Sequence, residues 1–276
     1  MATQFLKVAD GRLAYETTGS GPLVIAAPSM GDLRGEYRFL APQLASAGYR
    51  VVSLDLRGHG ETSVRWPDYS VAGLGQDLLD LVRALDAGPA ILIGDSIAAG
   101  AAVWAATEAP ELVRGMVLLG AAVRGEFRGP IRLLLSALFT RPWGPSAWIA
   151  FFKTLFPTRK PADFAAYTTG LKRNLSEPGR LEALHQMMLS SKAASEERLP
   201  RVSAPTLVLM GTKDPDFQDP AAEAAWVAGR LNGSFEMVAG AGHYPHVEMP
   251  EVTGPRILEF LKAIETEVDH ATAGRA

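Results

Sequence analysis

An α/β architecture, with a mainly parallel sheet covered by helices on both faces, follows from three features of this sequence. Short apolar runs of the kind a buried parallel strand needs alternate with longer stretches of helical spacing. That alternation repeats several times, which is the pattern of strands joined by helical crossovers. It stops between Ala122 and Pro200, where helical patterns and Pro or Gly breakers occur without a convincing strand, and then resumes.

The elements follow in chain order. Gln4–Val8 and Arg12–Thr17 flank Asp10-Gly11 as a hairpin. Leu23–Ala27 is wholly apolar, as a strand buried on both faces must be. Tyr37–Ala47 reads as a helix closed by Gly48, and Val51–Leu54 as the next strand. Val71–Leu85 sets Leu74, Leu78, Leu81, Val82 and Leu85 on one helical face. Ala90–Ile93 is a short strand, followed by an alanine-rich helix at Ile97–Glu108 that stops before Pro110, then a strand at Val113–Leu119. Residues 122–200 form a helical insertion rich in large apolar side chains, among them Trp143, Trp148, Phe151, Phe152 and Phe156. Beyond it come a strand at Thr206–Met210, a helix at Ala221–Arg230, a strand at Phe235–Val238 and a helix from Glu251 to Glu267. Asp269–Ala276 reads as a frayed tail.

Composition narrows the function classes. A chain of 276 residues suits one large domain with an insertion. With 47% hydrophobic and 21% charged residues it has the composition of a folded chain, not a disordered one. The balance of 27 basic against 30 acidic residues, −3, lacks the basic surplus of a nucleic-acid binder. The absence of cysteine excludes a disulfide scaffold, a Cys-ligated metal and a thiol nucleophile. The first residues carry no signal-peptide pattern, and no apolar run approaches the ~20 residues of a membrane span. A cytoplasmic location is therefore expected. Neither a phosphate loop nor a strand-linked G-x-G-x-x-G occurs. Oligomeric state is not readable.

The chemistry concentrates at Ala90-Ile-Leu-Ile-Gly94-Asp-Ser96-Ile-Ala98. An apolar strand runs through Gly-x-Ser-x-Ala straight into a helix. A serine so placed sits on a sharp turn with its hydroxyl above the sheet, and small residues two before and two after it let backbone pass closely. Ile97 N–H, at the helix start, would face a developing oxyanion. The plainer alternative is a serine N-cap.

Four stretches together resemble the α/β-hydrolase superfamily, in its branch of cap-bearing esterases, lipases and epoxide-hydrolase-like enzymes. They are Leu54-Asp-Leu-Arg57-Gly-His-Gly60, the turn around Ser96, Leu209-Met-Gly211-Thr-Lys-Asp214 and Gly240-Ala-Gly242-His243. The resemblance covers roughly residues 4 to 265. It implies an eight-stranded, mostly parallel sheet, with a core of residues 1–121 and 201–276 and a helical cap over residues 122–200. It implies Ser96 as nucleophile, His243 as base and Asp214 as the acid, in the chain order expected of this fold. Of the other histidines, His59 lies in a loop that is structural in the family, His185 in the insertion and His270 in the tail. His246 is a partner of His243 or a surface residue; a metal shared by the two is a weak alternative. Asp216 remains an alternative acid, and Glu126 a poor one.

Relatives carry His-Gly after the strand that here is Leu23–Ala27; this chain has Pro28-Ser29 there. Proline has no N–H, so Met30 is taken as the second oxyanion donor beside Ile97. Trp143, Trp148 and Phe152 are candidate cap residues for the substrate pocket. The chemistry implied is cleavage of a carboxylic ester or lactone of a small to medium apolar substrate, with no metal or organic cofactor. A serine at position 96 argues against epoxide hydrolase or dehalogenase chemistry, which attacks with a carboxylate. The alternatives are carbon–carbon bond hydrolysis, cyanohydrin cleavage or perhydrolysis by the same triad, or a ligand receptor with little turnover.

Overall fold

A computed structural model describes residues 2–125, 129–140 and 142–273. Eight strands form one sheet: β1 (Gln4–Val8), β2 (Gly11–Thr18), β3 (Leu23–Ala27), β4 (Arg50–Leu54), β5 (Ala90–Asp95), β6 (Val113–Leu119), β7 (Thr206–Gly211) and β8 (Ser234–Val238). Their order is β1-β2-β4-β3-β5-β6-β7-β8. The β1–β2 and β2–β4 pairs are antiparallel and all others parallel.

The inner strands β3, β5, β6 and β7 are almost wholly buried because both faces of the sheet are covered, and β3 is apolar throughout. Period-two alternation divides them. Ile25, Leu92 and Val208 join a core with α2 (Val71–Leu85), α3 (Ile97–Glu108) and α9 (Pro220–Leu231). Val24, Ile91 and Leu209 join a core on the other face with α1 (Leu40–Ser46) and α11 (Pro250–Ala273). Helix starts are capped locally: Ser70 Oγ accepts from Gly73 N–H, and Asp219 accepts from Ala222 N–H ahead of Pro220.

Two sequence expectations need correction. The helix expected over Tyr37–Ala47 is a 3-10 turn at Arg34–Arg38 followed by α1. Pro42 lacks an N–H and fits a helix best in its first turn, where that N–H would be unpaired, and α1 begins two residues before it. The expected frayed tail is helical as far as Ala273 in α11; 274–276 lie outside the described residues.

Among the described residues, five α-helices, a 3-10 turn at Leu199–Arg201 and no strand lie between β6 and β7: α4 (Gly129–Leu138), α5 (Gly144–Thr154), α6 (Phe164–Ser176), α7 (Arg180–Met188) and α8 (Ala193–Glu196). Their Phe139, Trp148, Phe152, Phe156, Phe164, Leu171 and Leu184 form a buried cluster together with Tyr244 and Val247 from the segment after β8. Polar bonds tie them to the sheet domain: Arg38 to Asp163 at 2.6 Å, Arg180 Nη1 to Thr62 O at 2.6 Å, and Trp148 Nε1 to Gly31 O at 3.2 Å. Among the described residues no helix is long and apolar enough to cross a membrane.

Candidate active site

Ser96 follows β5 directly and adopts φ 54° and ψ −116°, a conformation that costs a non-glycine residue energy. It makes no side-chain cap bond to α3, so the N-cap alternative lacks its defining contact. The turn is held by backbone. Ser96 N–H donates to Leu119 O at 2.9 Å, and Ser96 O accepts from Ala99 and Ala122 N–H at 3.1 and 3.2 Å. A Cβ on Gly94 would stand 2.4 Å from Ala98 O and 2.8 Å from Ala99 N, all backbone. Gly94→Ala is therefore expected to destabilise by about 1–3 kcal/mol, the usual cost of overpacking. Chemical denaturation checks this; an unchanged midpoint would mean the turn is not close-packed.

The strand ends bring distant residues to this turn. Asp214 follows β7, and His243 lies in the loop after β8. His243 Nδ1 stands 2.8 Å from Asp214 Oδ2, with both side chains buried. The second Asp214 oxygen accepts Asp216 N–H at 3.0 Å. Asp216 does not reach Nδ1; its Oδ2 lies 3.7 Å from His243 Nε2. Gly120, at φ 47°, is needed beside the ring, because a Cβ there would be 3.0 Å from Cε1 and Nδ1. Burial opposes a charged ring at His243, but Asp214, Asp216 and Asp95 outweigh it and raise the ring to about 10. Among the described residues Ser96 Oγ has no hydrogen-bond partner, and Ser96 is 9% exposed.

β3 and β5 are neighbours, Ala27 opposite Gly94, so the loop after β3 lies against the Ser96 turn. Ser29 N–H donates to Glu36 Oε2 at 2.8 Å and Gly31 N–H to His59 Nε2 at 3.1 Å. Between these anchors Met30 N–H is unbonded among the described residues, as is Ile97 N–H. Both residues line a cavity of about 530 Å³ with Ser29, Ser96 and His243. Its walls are Leu135, Leu138, Phe139, Trp148, Phe151, Leu155, Met188 and Phe217, with Arg124, Lys192, Asp216 and Glu223 as polar members.

Of the three cap candidates only Trp148 lines this cavity. Trp143 is 55% exposed, its Nε1 bonded to Ala137 O, and Phe152 is fully buried against Phe156, Phe164 and Tyr244. Composition identified an aromatic insertion, but which helix face meets the cavity depends on how α5 docks. Phe151, one residue from Phe152, is the ring that reaches it.

The other histidines separate cleanly. His59 is buried and neutral, pushed down by burial to about 4, with Nδ1 bonded to Arg57 O. His185 bonds Ser136 Oγ in the insertion. His243 and His246 do not converge as a metal pair. His243 clusters with Asp214 and Asp216, and His246 with Glu36 and Asp95, each with one ring nitrogen already facing a carboxylate. The side chains of Glu126 and His270 lie outside the described residues. A larger groove of about 780 Å³ contains neither Ser96 nor His243. Arg34, on its wall, is paired with buried Asp55 and with the more exposed Glu16 and Glu61, an ion network without a nucleophile. Glu36 escaped sequence reasoning. No sequence signal singles it out, since Asp32, Arg34 and Arg38 are charged neighbours in the same stretch after Met30.

Comparison with known proteins agrees with the fold. An uncharacterised protein of Mycobacterium tuberculosis is 32% identical over 118 residues, 43% of this chain and 34% of that protein, so the match spans about a third of that relative's length. A probable esterase of Oryza sativa subsp. japonica is 25% identical, with 88% of this chain and 93% of that protein covered. A bromoperoxidase structure from Bacillus anthracis superposes with a TM-score of 0.82 at 20% identity, covering 95% of this chain and 100% of that one, a likeness of fold. The family model described as the alpha/beta hydrolase family matches residues 24–254, well over half of the sequence, and the chain belongs to that family.

Proposed function

We propose that this protein is a serine hydrolase that cleaves a carboxylic ester or lactone of a small to medium apolar substrate through an acyl-enzyme on Ser96. One observation carries the reading: one apolar cavity holds Ser96, the Asp214-bonded His243 and two amides, Met30 and Ile97, that have no partner among the described residues. His243 Nε2 takes the Ser96 proton as Oγ attacks the carbonyl carbon. The oxyanion accepts from Met30 and Ile97 N–H, donors already fixed before the charge forms. Asp214 holds the ring orientation and stabilises the imidazolium. His243 then protonates the leaving alcohol and later activates water against the acyl ester. Residues 122–200 act as a cap on a core of residues 1–121 and 201–276, with Trp148 and Phe151 supplying apolar contact.

The test is steady-state hydrolysis of p-nitrophenyl esters from acetate to octanoate. Repeated turnover with a chain-length optimum supports the reading, while absence of turnover across the series counts against simple ester hydrolysis. A second reading has one observation behind it. Half-buried Lys192 lines the same cavity, a basic group of the kind that an enolate or cyanide leaving group needs in carbon–carbon or cyanohydrin cleavage.

The pH profile follows from the carboxylates around His243. The base works only as the neutral ring, so a raised ring places the acidic limb of kcat/KM above the ordinary histidine value of about 6.5. Asp216→Asn removes one attracting carboxylate and is expected to move that limb down. A limb at or below the ordinary value in the parent, or an upward move in the variant, would contradict this. The same raised ring stabilises the fold below about pH 6.5, and that contribution is lost as pH rises toward about 10.

A further inference from the structure

Behind Ser96 lies a second buried cluster that the acyl-transfer chemistry does not use. Glu36, Asp95 and His246 are each at most 1% exposed, and a polar atom of each lies within 4.8 Å of the others. They come from three segments. Glu36 follows the Met30 loop, Asp95 is the residue before Ser96, and His246 is three residues past His243. Glu36 Oε2 accepts Ser29 N–H at 2.8 Å, and Glu36 Oε1 stands 3.1 Å from His246 Nε2. Asp95 is within hydrogen-bonding reach of the same carboxyl, yet neither Asp95 oxygen meets an N–H or hydroxyl donor among the described residues.

Two carboxyls in contact at low dielectric do not both stay ionised; one keeps a proton. Ionised Glu36 is the better-served partner. It receives the Ser29 amide, and it receives His246 Nε2–H in the tautomer that leaves an acceptor, not a donor, at the unpartnered Nδ1. Asp95 has no donor to support a charge. We propose that Asp95 keeps its proton when Glu36 ionises and donates it to Glu36, and that Glu36, held by Asp95, Ser29 and His246 together, positions the loop presenting Met30 N–H to the oxyanion. Glu36 and Asp95 are thus positioning residues; the inference rests on the acyl-transfer reading of Ser96.

The surroundings agree. Burial raises both carboxyls. Glu36, Asp214 and Asp32 push Asp95 further up against the pull of His243, whereas Ser29 N–H, His243 and the Asp95 bond hold Glu36 back. Asp32, Glu36 and Tyr37 face the cluster from the segment after β3, Asp214 from the loop after β7, and His243, Tyr244 and His246 from the loop after β8. Burial, with Arg38 and His243 near, pushes His246 down to about 3, so its ring is neutral.

The experiment compares Asp95→Asn with Glu36→Gln in the intact protein. An asparagine amide can donate to Glu36 as the acid hydroxyl does. A glutamine at 36 must turn its own N–H₂ toward a donor. Asp95→Asn is expected to lose less than about tenfold in kcat. Glu36→Gln is expected to approach the roughly hundredfold loss of one oxyanion donor, with KM little changed because the oxyanion exists only in the transition state. The parent should also lose rate on the alkaline side through an ionisation that Asp95→Asn lacks. Infrared difference spectra of parent against Asp95→Asn, taken above the value of about 8 to which burial raises Glu36, should show a protonated-carboxyl band in the parent alone. Equal kcat losses in the two variants, or no such band, would overturn the proposal. The infrared readout needs neither turnover nor a folded Glu36→Gln. Failure of the Ser96 reading itself shows separately, as a Ser96→Ala variant that keeps the parent's rate.

Discussion

Ser96→Ala should reduce ester turnover by on the order of 10⁴–10⁶-fold, with the fold and substrate binding retained, because removing the attacking oxygen removes the covalent route altogether. The residual rate would come from the cavity and the Met30 and Ile97 amides acting on bound water. The same change relieves no contact that holds the elbow, since the turn is fixed by the backbone bonds of Ser96 to Leu119, Ala99 and Ala122. Unfolding midpoints of parent and variant should therefore lie within about 1 kcal/mol of each other, as for a conservative change that leaves no cavity or orphaned polar group. Retained turnover in Ser96→Ala would end the acyl-enzyme mechanism. Loss of activity together with loss of fold would leave the alanine result without mechanistic meaning and shift the test to Ser96→Gly or to trapping of a burst-phase acyl-enzyme.

Asp214→Asn should cost on the order of 10⁴-fold in kcat, the magnitude known when a buried triad carboxylate becomes an amide. The carboxamide offers an N–H where His243 Nδ1–H needs an acceptor, so the ring flips or takes the wrong tautomer. Asp216→Asn should cost far less than Asp214→Asn. Asp216 stands 3.7 Å from Nε2, is exposed, and reaches Asp214 through its backbone N–H, which asparagine keeps. The two variants, measured side by side, decide between the acids. A larger loss from Asp216→Asn would reverse the assignment.

The parts of the site that could be read from the sequence are those whose requirements are local. A strand-to-helix turn tight enough to hold Ser96 at φ 54° admits only small neighbours, and Gly94 and Ala98 stand at the required offsets. The apolar runs of β3, β5 and β7 announce strands covered on both faces, whichever neighbours they take. His243 and Asp214 stand in loops that follow strands, a relation of chain order and not of contact. Pro42, set inside the expected helix, moved a boundary for an equally local reason.

Glu36, Phe151 and Lys192 were beyond reach for another reason. Glu36 meets His246 across 210 positions of chain, and only the adjacency of β3 and β5 puts the Met30 loop against the Ser96 turn. Phe151 and Phe152 are neighbours of one chemical kind, yet the docking of α5 sends one to the cavity and the other into the buried cluster with Phe156, Phe164 and Tyr244. Asp214 and Asp216 stand two positions apart, and only the placement of His243 gives Nδ1 to the first. Residue type and spacing thus specify the architecture, the elbow and the order of its chemical groups, because backbone sterics and hydrophobic periodicity act over a few residues. Which carboxyl faces which nitrogen, which ring lines the cavity and which buried acid keeps a proton are set by the packing of segments far apart in the chain. Burial and low dielectric, which fix those outcomes, exist only once the segments have come together.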